Sequence, residues 1–160
     1  MKVIFFRTYV IGMIVVSFLI SGAGCGKPTK WEFELTKGWH QYEAQDSNWH
    51  RWMSGRGTIR VFVPKDFQVL IQGEIISMHS PDNVEVIVNG QKLTTINLVR
   101  DKFEFKPLEP LSISLKKGDN LIELVSQMGP VTTPADPRPL AVAVKNLRLS
   151  AGNNECTLKR

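Results

Sequence analysis

Along most of this chain apolar side chains fall on every second position, the period of a β-strand with one buried face. Trp31, Phe33 and Leu35 alternate with Glu32 and Glu34. Ile59, Val61 and Val63 alternate with Thr58, Arg60 and Phe62, and Val84, Val86 and Val88 with Glu85 and Ile87. The same beat runs through Phe103–Phe105, Ser112–Leu115, Leu121–Val125 and Leu140–Leu149. No stretch beyond residue 30 sustains apolar residues at helical spacing. Turn chemistry separates the runs. Asn89-Gly90 joins Val84–Val88 to Gln91–Ile96 as a two-residue hairpin, because Asn and Gly tolerate the positive φ that a type I′ turn requires. Lys117-Gly118-Asp119-Asn120 is a second turn. Pro64-Lys65-Asp66, Ser80-Pro81-Asp82 and Pro107–Pro110 should mark strand ends, since proline cannot donate to a ladder. Gly129–Pro139 reads as an ordered proline-rich loop of the kind that carries binding residues on a rigid scaffold. Many short, regularly punctuated strands predict an all-β fold, an antiparallel β-sandwich or jelly roll.

The first 24 residues break the alternation. Lys2 and Arg7 precede an uncharged apolar run from Tyr9 to Ile20, which matches a secretory signal and is shorter than the ~18 residues of a confident membrane span. Ser21-Gly22-Ala23-Gly24-Cys25 follows. This run resembles the lipobox of bacterial lipoproteins, with Gly22 where an aliphatic residue is usual. The resemblance implies cleavage before Cys25 and acylation of that cysteine, palmitate being one such chain. Ordinary cleavage after Ala23 and an uncleaved signal anchor are the competing readings. An acylated Cys25 leaves Cys156 a lone thiol. A free Cys25 could instead bridge to Cys156 in an oxidising envelope, for about 5 kcal/mol by loop entropy. The expected layout is a signal at 1–24, a polar tether at 25–30, a sandwich domain at 31–150 and a tail at 151–160.

Removing 24 of 160 residues leaves 136, enough for one domain. Lys2 and Arg7 leave with the signal, so 20 basic side chains become 18 against 15 acidic ones, and the net charge falls from +5 to +3. The charge is spread along the chain with no basic block beyond Lys116-Lys117. Nucleic acid is therefore not expected as a partner.

Catalytic and metal signatures do not assemble. His40, His50 and His79 lack metal-ligand spacing, no nucleophile elbow occurs, and neither a metal nor a cofactor is expected. Paired carboxylates for glycoside hydrolysis would meet only in the fold. Tryptophan is the conspicuous residue: Trp31, Trp39, Trp49 and Trp52 cluster early, with His40, Tyr42, His50 and Arg51 among them. Indole rings offer flat apolar platforms to the C–H faces of sugars, and polar neighbours satisfy the hydroxyls. The same rings serve equally as core. On a strand, Trp49 and Arg51 share one face and His50 and Trp52 the other. Trp31 and Trp52 are expected in the core, and Trp39 and Trp49 nearer the surface.

Gly38-Trp39-His40, Trp49-His50-Arg51-Trp52, Val88-Asn89-Gly90 and Asp136-Pro137-Arg138-Pro139-Leu140 occur in this order. Together they resemble the small β-sandwich domain of bacterial envelope proteins that is found alone or joined to membrane-embedded glycosyltransferases. His40 stands where that pattern has Tyr, and Ala141 where it has Gly. The resemblance implies a glycan-associated accessory role and supplies no catalytic residue. Independently of it, a buried Arg51 would need a counter-charge. Asp136 is the candidate, pinning the proline-rich loop and leaving Arg138 free to face a ligand. The expected glycan-binding side chains are thus Trp39, His40, Trp49, Arg51 and Arg138. The leading expectation is a membrane-tethered, non-catalytic module that binds envelope carbohydrate. An assembly lipoprotein that holds another envelope protein is the second reading, and a hydrolase with a facing acid pair the third.

Overall fold

The computed structural model describes residues 32–45, 48–152 and 154–157. The signal segment, Cys25, the tether and Trp31 lie outside the described residues. Thirteen strands form the fold: β1 (Glu32–Leu35), β2 (Trp39–Gln45), β3 (Asn48–Met53), β4 (Arg56–Val63), β5 (Phe67–Ser77), β6 (Asp82–Val88), β7 (Gln91–Leu98), β8 (Lys106–Leu115), β9 (Gly118–Ser126), β10 (Val131–Thr133), β11 (Asp136–Leu140), β12 (Val142–Ala151) and β13 (Asn154–Thr157). One sheet runs β1-β4-β9-β6-β7. The other runs β2-β3-β12-β5-β8, with β13 added beside β12, and β10-β11 is a separate hairpin. All pairings between these strands are antiparallel. The protein is an antiparallel β-sandwich.

The period-two pattern explains how the sheets close on each other. Leu35, Ile59, Ile122 and Val88 stand in one cross-strand register row through β1, β4, β9 and β6. Leu35, Ile59 and Ile122 are buried, and Val88 packs against their cluster. Val69, Ile71, Ile75, Val142, Val144, Leu147 and Leu149 answer them from the second sheet. Asn89 and Gly90 adopt φ of 50° and 81°, and Val88 pairs with Gln91, so the predicted two-residue turn forms.

Several expectations are corrected by the structure. Pro107 and Pro110 do not end a strand but lie inside β8. That strand is the edge of its sheet, where a missing N–H costs no ladder bond. Phe103–Phe105 is loop, not strand: its rings turn onto the outer face of the second sheet. Trp52, Ile76, Leu140 and Ala143 form a second buried cluster there, with Met78 and Phe105 packed against it. The small Ala143 sits between Trp52 and Ile76 in register, which leaves room for the indole. Gly129–Pro139 is largely the β10-β11 hairpin, and the expected tail supplies β13, with Cys156 opposite Leu149.

Candidate functional site

The outer face of the second sheet divides into three zones. At the end where the loops cluster, the Trp52 cluster covers it. Across its middle runs a register row of Glu43, His50, Lys145 and Glu74, one from each of β2, β3, β12 and β5. Beyond that row the face is open.

Of the side chains expected to bind sugar, Arg138 reaches the middle row through Glu43, whereas Trp39, Trp49 and Arg51 belong to the inner side of the sheet. His40 Nε2 lies 3.0 Å from both the Pro139 carbonyl and the Ser54 hydroxyl. Arg51 Nε donates to the His40 carbonyl, and its guanidinium carbon lies 5.0 Å from the centre of the Tyr42 ring. The expected Arg51–Asp136 pair does not form. Asp136 instead grips Arg138, two residues along its own strand, from Arg138 Nε to Oδ1 at 2.9 Å and through Nη2 to Oδ2. Arg138 Nη1 also reaches Glu43 at 2.6 Å, so Arg138 is not free for a ligand as expected. The reason is proximity: Asp136 and Arg138 share one face of β11, whereas Arg51 lies on the inner face of β3. Bonds from Arg138 hold the Asp136 carboxyl at about 2, below its ordinary range. These contacts fasten the β10-β11 hairpin to β2.

Trp39 is half-buried against the main core rather than at the surface. Its Nε1 donates to the Thr58 carbonyl at 3.0 Å, and its ring lies so close over Gly57 that a Cβ there would fall 2.6 Å from it. Trp52 is 6% exposed, buried as expected but in the outer-face cluster, and Trp49 is 38% exposed. Among the described residues, Trp39, Trp49 and Trp52 therefore form no common platform.

The open zone holds a groove of about 640 Å³ lined by Gln72, Gly73, Glu74, Pro107, Leu108, Glu109, Pro110, Asn146 and Arg148. Its cause is a pair of irregularities around one glycine. On one side Lys145 pairs with Glu74 and Arg148 with Gln72, so β12 carries one extra residue. On the other, Leu111 pairs with Ile71 and Leu108 with Gly73, so β8 carries one extra residue too. Two bulges flanking the same segment of β5 bend the sheet sharply. Asn146 takes φ of 53° to make the first. At Gly73 a Cβ would meet the Lys145 carbonyl at 3.1 Å and Leu147 Cα at 3.2 Å, so a side chain there would press the bulged β12 backbone away.

Within the groove Glu74 is fully engaged. Lys145 Nζ lies 2.9 Å from one oxygen and Asn146 Nδ2 donates to the other at 2.8 Å. Burial works against its ionisation, but these bonds prevail and its pKa is lowered. The Lys145 ammonium also sits 4.8 Å from the Phe105 ring centre, at the row that separates groove from covered zone. Gln68, Leu70 and Gln72 alternate with buried Val69 and Ile71, and Leu70 is 41% exposed beside Ser112. This strip continues the groove as amides and hydroxyls around one aliphatic platform. No group of three or more metal-binding side chains occurs among the described residues.

Sequence reasoning missed these residues because each is an ordinary polar residue on a strand. Two signals were present. Gly73 interrupts the alternating FQVLIQGEIIS. The inward positions of β12 run Val142, Val144, then Leu147, Leu149, a slip of one that marks a bulge.

No protein-family model and no curated protein matches the sequence. Solved structures do match by shape. A GH26-CBM35 β-(1,4)-mannanase from Podospora anserina matches with a TM-score of 0.55 and 12% identity, over 78% of this chain and 28% of that one. A family 35 carbohydrate binding module from Clostridium thermocellum matches at 0.46 and 13%, over 76% and 92%. One from an environmental isolate matches at 0.46 and 17%, over 66% and 71%. The chain is structurally similar to the β-sandwich of family 35 carbohydrate-binding modules, a likeness of fold.

Proposed function

We propose that this protein is a non-catalytic glycan-binding module, and that the doubly bulged groove receives the glycan. The carrying observation is the groove's lining. Gln72 and Asn146 offer amides, Glu109 a carboxylate and Arg148 a guanidinium, on a floor held rigid by neighbouring strands. Planar groups of this kind pair with vicinal hydroxyls, and Leu70, Pro107 and Pro110 give the C–H faces of a sugar an apolar surface. The fold likeness to a mannanase whose name includes a family 35 module supports the same reading. Glu74 and Glu109 share the groove, which is the arrangement a hydrolase would use. Glu74, however, is tied to Lys145 and Asn146 and held in its ionised form, which unfits it for the role of the protonated acid. We assign binding and not hydrolysis. Acylation at Cys25 would hold the module to a membrane of the cell envelope.

Titration of glycan oligomers followed by calorimetry tests the site. Gln72→Ala and Asn146→Ala should each weaken binding about tenfold, the loss of one or two hydrogen bonds, while Trp49→Ala leaves it unchanged. Binding lost with Trp49→Ala and kept in the groove variants would return the site to the aromatic segment. Release of shorter sugars would overturn the non-catalytic assignment. A second reading, docking of an envelope protein, is favoured by Val99, Phe103 and Met128, which are 58%, 57% and 57% exposed. Crosslinking to one partner without any glycan response would support it.

A further inference from the structure

The charges around the groove are unequal in what they have left to offer, and this bears on the kind of glycan. Resting on the glycan-binding reading, we infer that the groove selects an amine-bearing glycan, a hexosamine chain with free 2-amino groups, over acidic ones.

The argument begins with two carboxylates against one guanidinium in the lining. Lys145, beside the groove, is already engaged: its ammonium pairs with Glu74 at 2.9 Å and lies against Phe105. Both Glu74 oxygens are taken, one by Lys145 and one by Asn146. Glu109 differs. It sits in the bulge of β8 between buried Leu108 and Pro110, is exposed, and makes no hydrogen bond or ion pair among the described residues. Gln72 across β5 likewise has no internal partner there, and Asn146 commits its Nδ2 but not its carbonyl oxygen. Of the lining groups left for a ligand, Glu109 therefore offers a full negative charge, with the Gln72 and Asn146 carbonyl oxygens as further acceptors beside it. A sugar ammonium donates to such a set through charge-assisted hydrogen bonds, roughly twice as strong as neutral ones. A uronate or phosphate would instead meet two carboxylates, with only Arg148 to offset them.

The test uses the full chain in detergent and three oligomers of matched length: glucosamine, N-acetylglucosamine and a uronic acid. Below the pKa of the sugar amine, the glucosamine oligomer should bind about tenfold more tightly than its acetylated form. The uronic acid oligomer should bind weakest. Glu109→Gln is nearly isosteric and exposed, so it should fold normally. It should abolish the preference, weakening the glucosamine oligomer about tenfold more than the acetylated one. Added salt should narrow the preference as it screens the pair. Equal binding of the two hexosamine oligomers, a preference that survives Glu109→Gln, or tightest binding of the uronic acid would overturn the inference while leaving the groove a glycan site. Binding of none of the three, nor of any neutral glycan, would overturn the glycan-binding reading itself.

Discussion

Asp82 is 2% exposed, yet its carboxylate is well supplied with donors. Ser77 Oγ donates at 2.6 Å and Ser126 Oγ at 2.8 Å, and the Met128 N–H approaches the other oxygen at 3.4 Å. Because Ser77 ends β5 and Ser126 ends β9, this one side chain clips the two sheets together at the loop end. Asp82→Ala would leave the Ser126 hydroxyl without this acceptor and Ser77 with only the Ala141 carbonyl at 3.2 Å, at a cost of about 2 kcal/mol. Urea unfolding should show a lower midpoint with an unchanged slope. A change below ~0.5 kcal/mol would mean the hydroxyls find other acceptors. Asn120 plays a similar part at the opposite end, bonding the Lys116 N–H and carbonyl, the Gly118 carbonyl and the Asn89 side chain. Neither role could be read from sequence. A lone Asp after Ser80-Pro81 looks like any turn residue until three distant strands meet around it.

Among the elements, the β10-β11 hairpin depends most on charge. Arg138 joins Asp136 of its own strand to Glu43 of β2, so the hairpin's attachment rests on ionised carboxylates. The Asp136 pKa is lowered from 3.8 to about 2 in the folded protein. A depressed carboxylate contributes its stabilisation above the unfolded value and loses it as pH falls through the folded one. The Asp136–Arg138 pair that orients the guanidinium should therefore hold above about pH 4 and loosen between there and about pH 2. Carboxyl carbon shifts of Asp136 should report a midpoint near the lower value, returning toward 3.8 in Arg138→Ala. A wild-type midpoint already near 3.8 would show that the Arg138 contact is not populated in solution. Strands β5 and β8 show the opposite case, an element shaped by shape alone. Their bend arises from the extra residues of β8 and β12 on either side of Gly73, with no charge required.

On the scale of the whole molecule, the ends of the sandwich differ. Glu32 pairs with Phe62, so the described chain begins beside the 64–66 turn, at the same end as Asn89-Gly90 and the β8-β9 turn. The loops that carry Val99, Phe103 and Met128 lie at the far end, and the groove opens on the flank between. The proposed acylation of Cys25 is tested by removing its thiol. Cys25→Ser should move the protein from the membrane to the soluble fraction on cell lysis. Retention in the membrane by the variant would favour an uncleaved anchor over acylation.

What the sequence alone determined is local. Alternation placed β1, β4, β6, β9 and β12, and Asn-Gly chemistry placed the β6-β7 turn, because these depend on neighbours a few residues apart. Tertiary structure decided what depends on pairing. It decided that β8 is an edge and so accepts Pro107 and Pro110. It decided too that Arg138 and not Arg51 takes Asp136, and that extra residues on β8 and β12 flank one stretch of β5. Each outcome joins residues that lie tens of positions apart, and no local pattern carries that register. The groove exists only through such a coincidence, so it became visible only once the strands were paired.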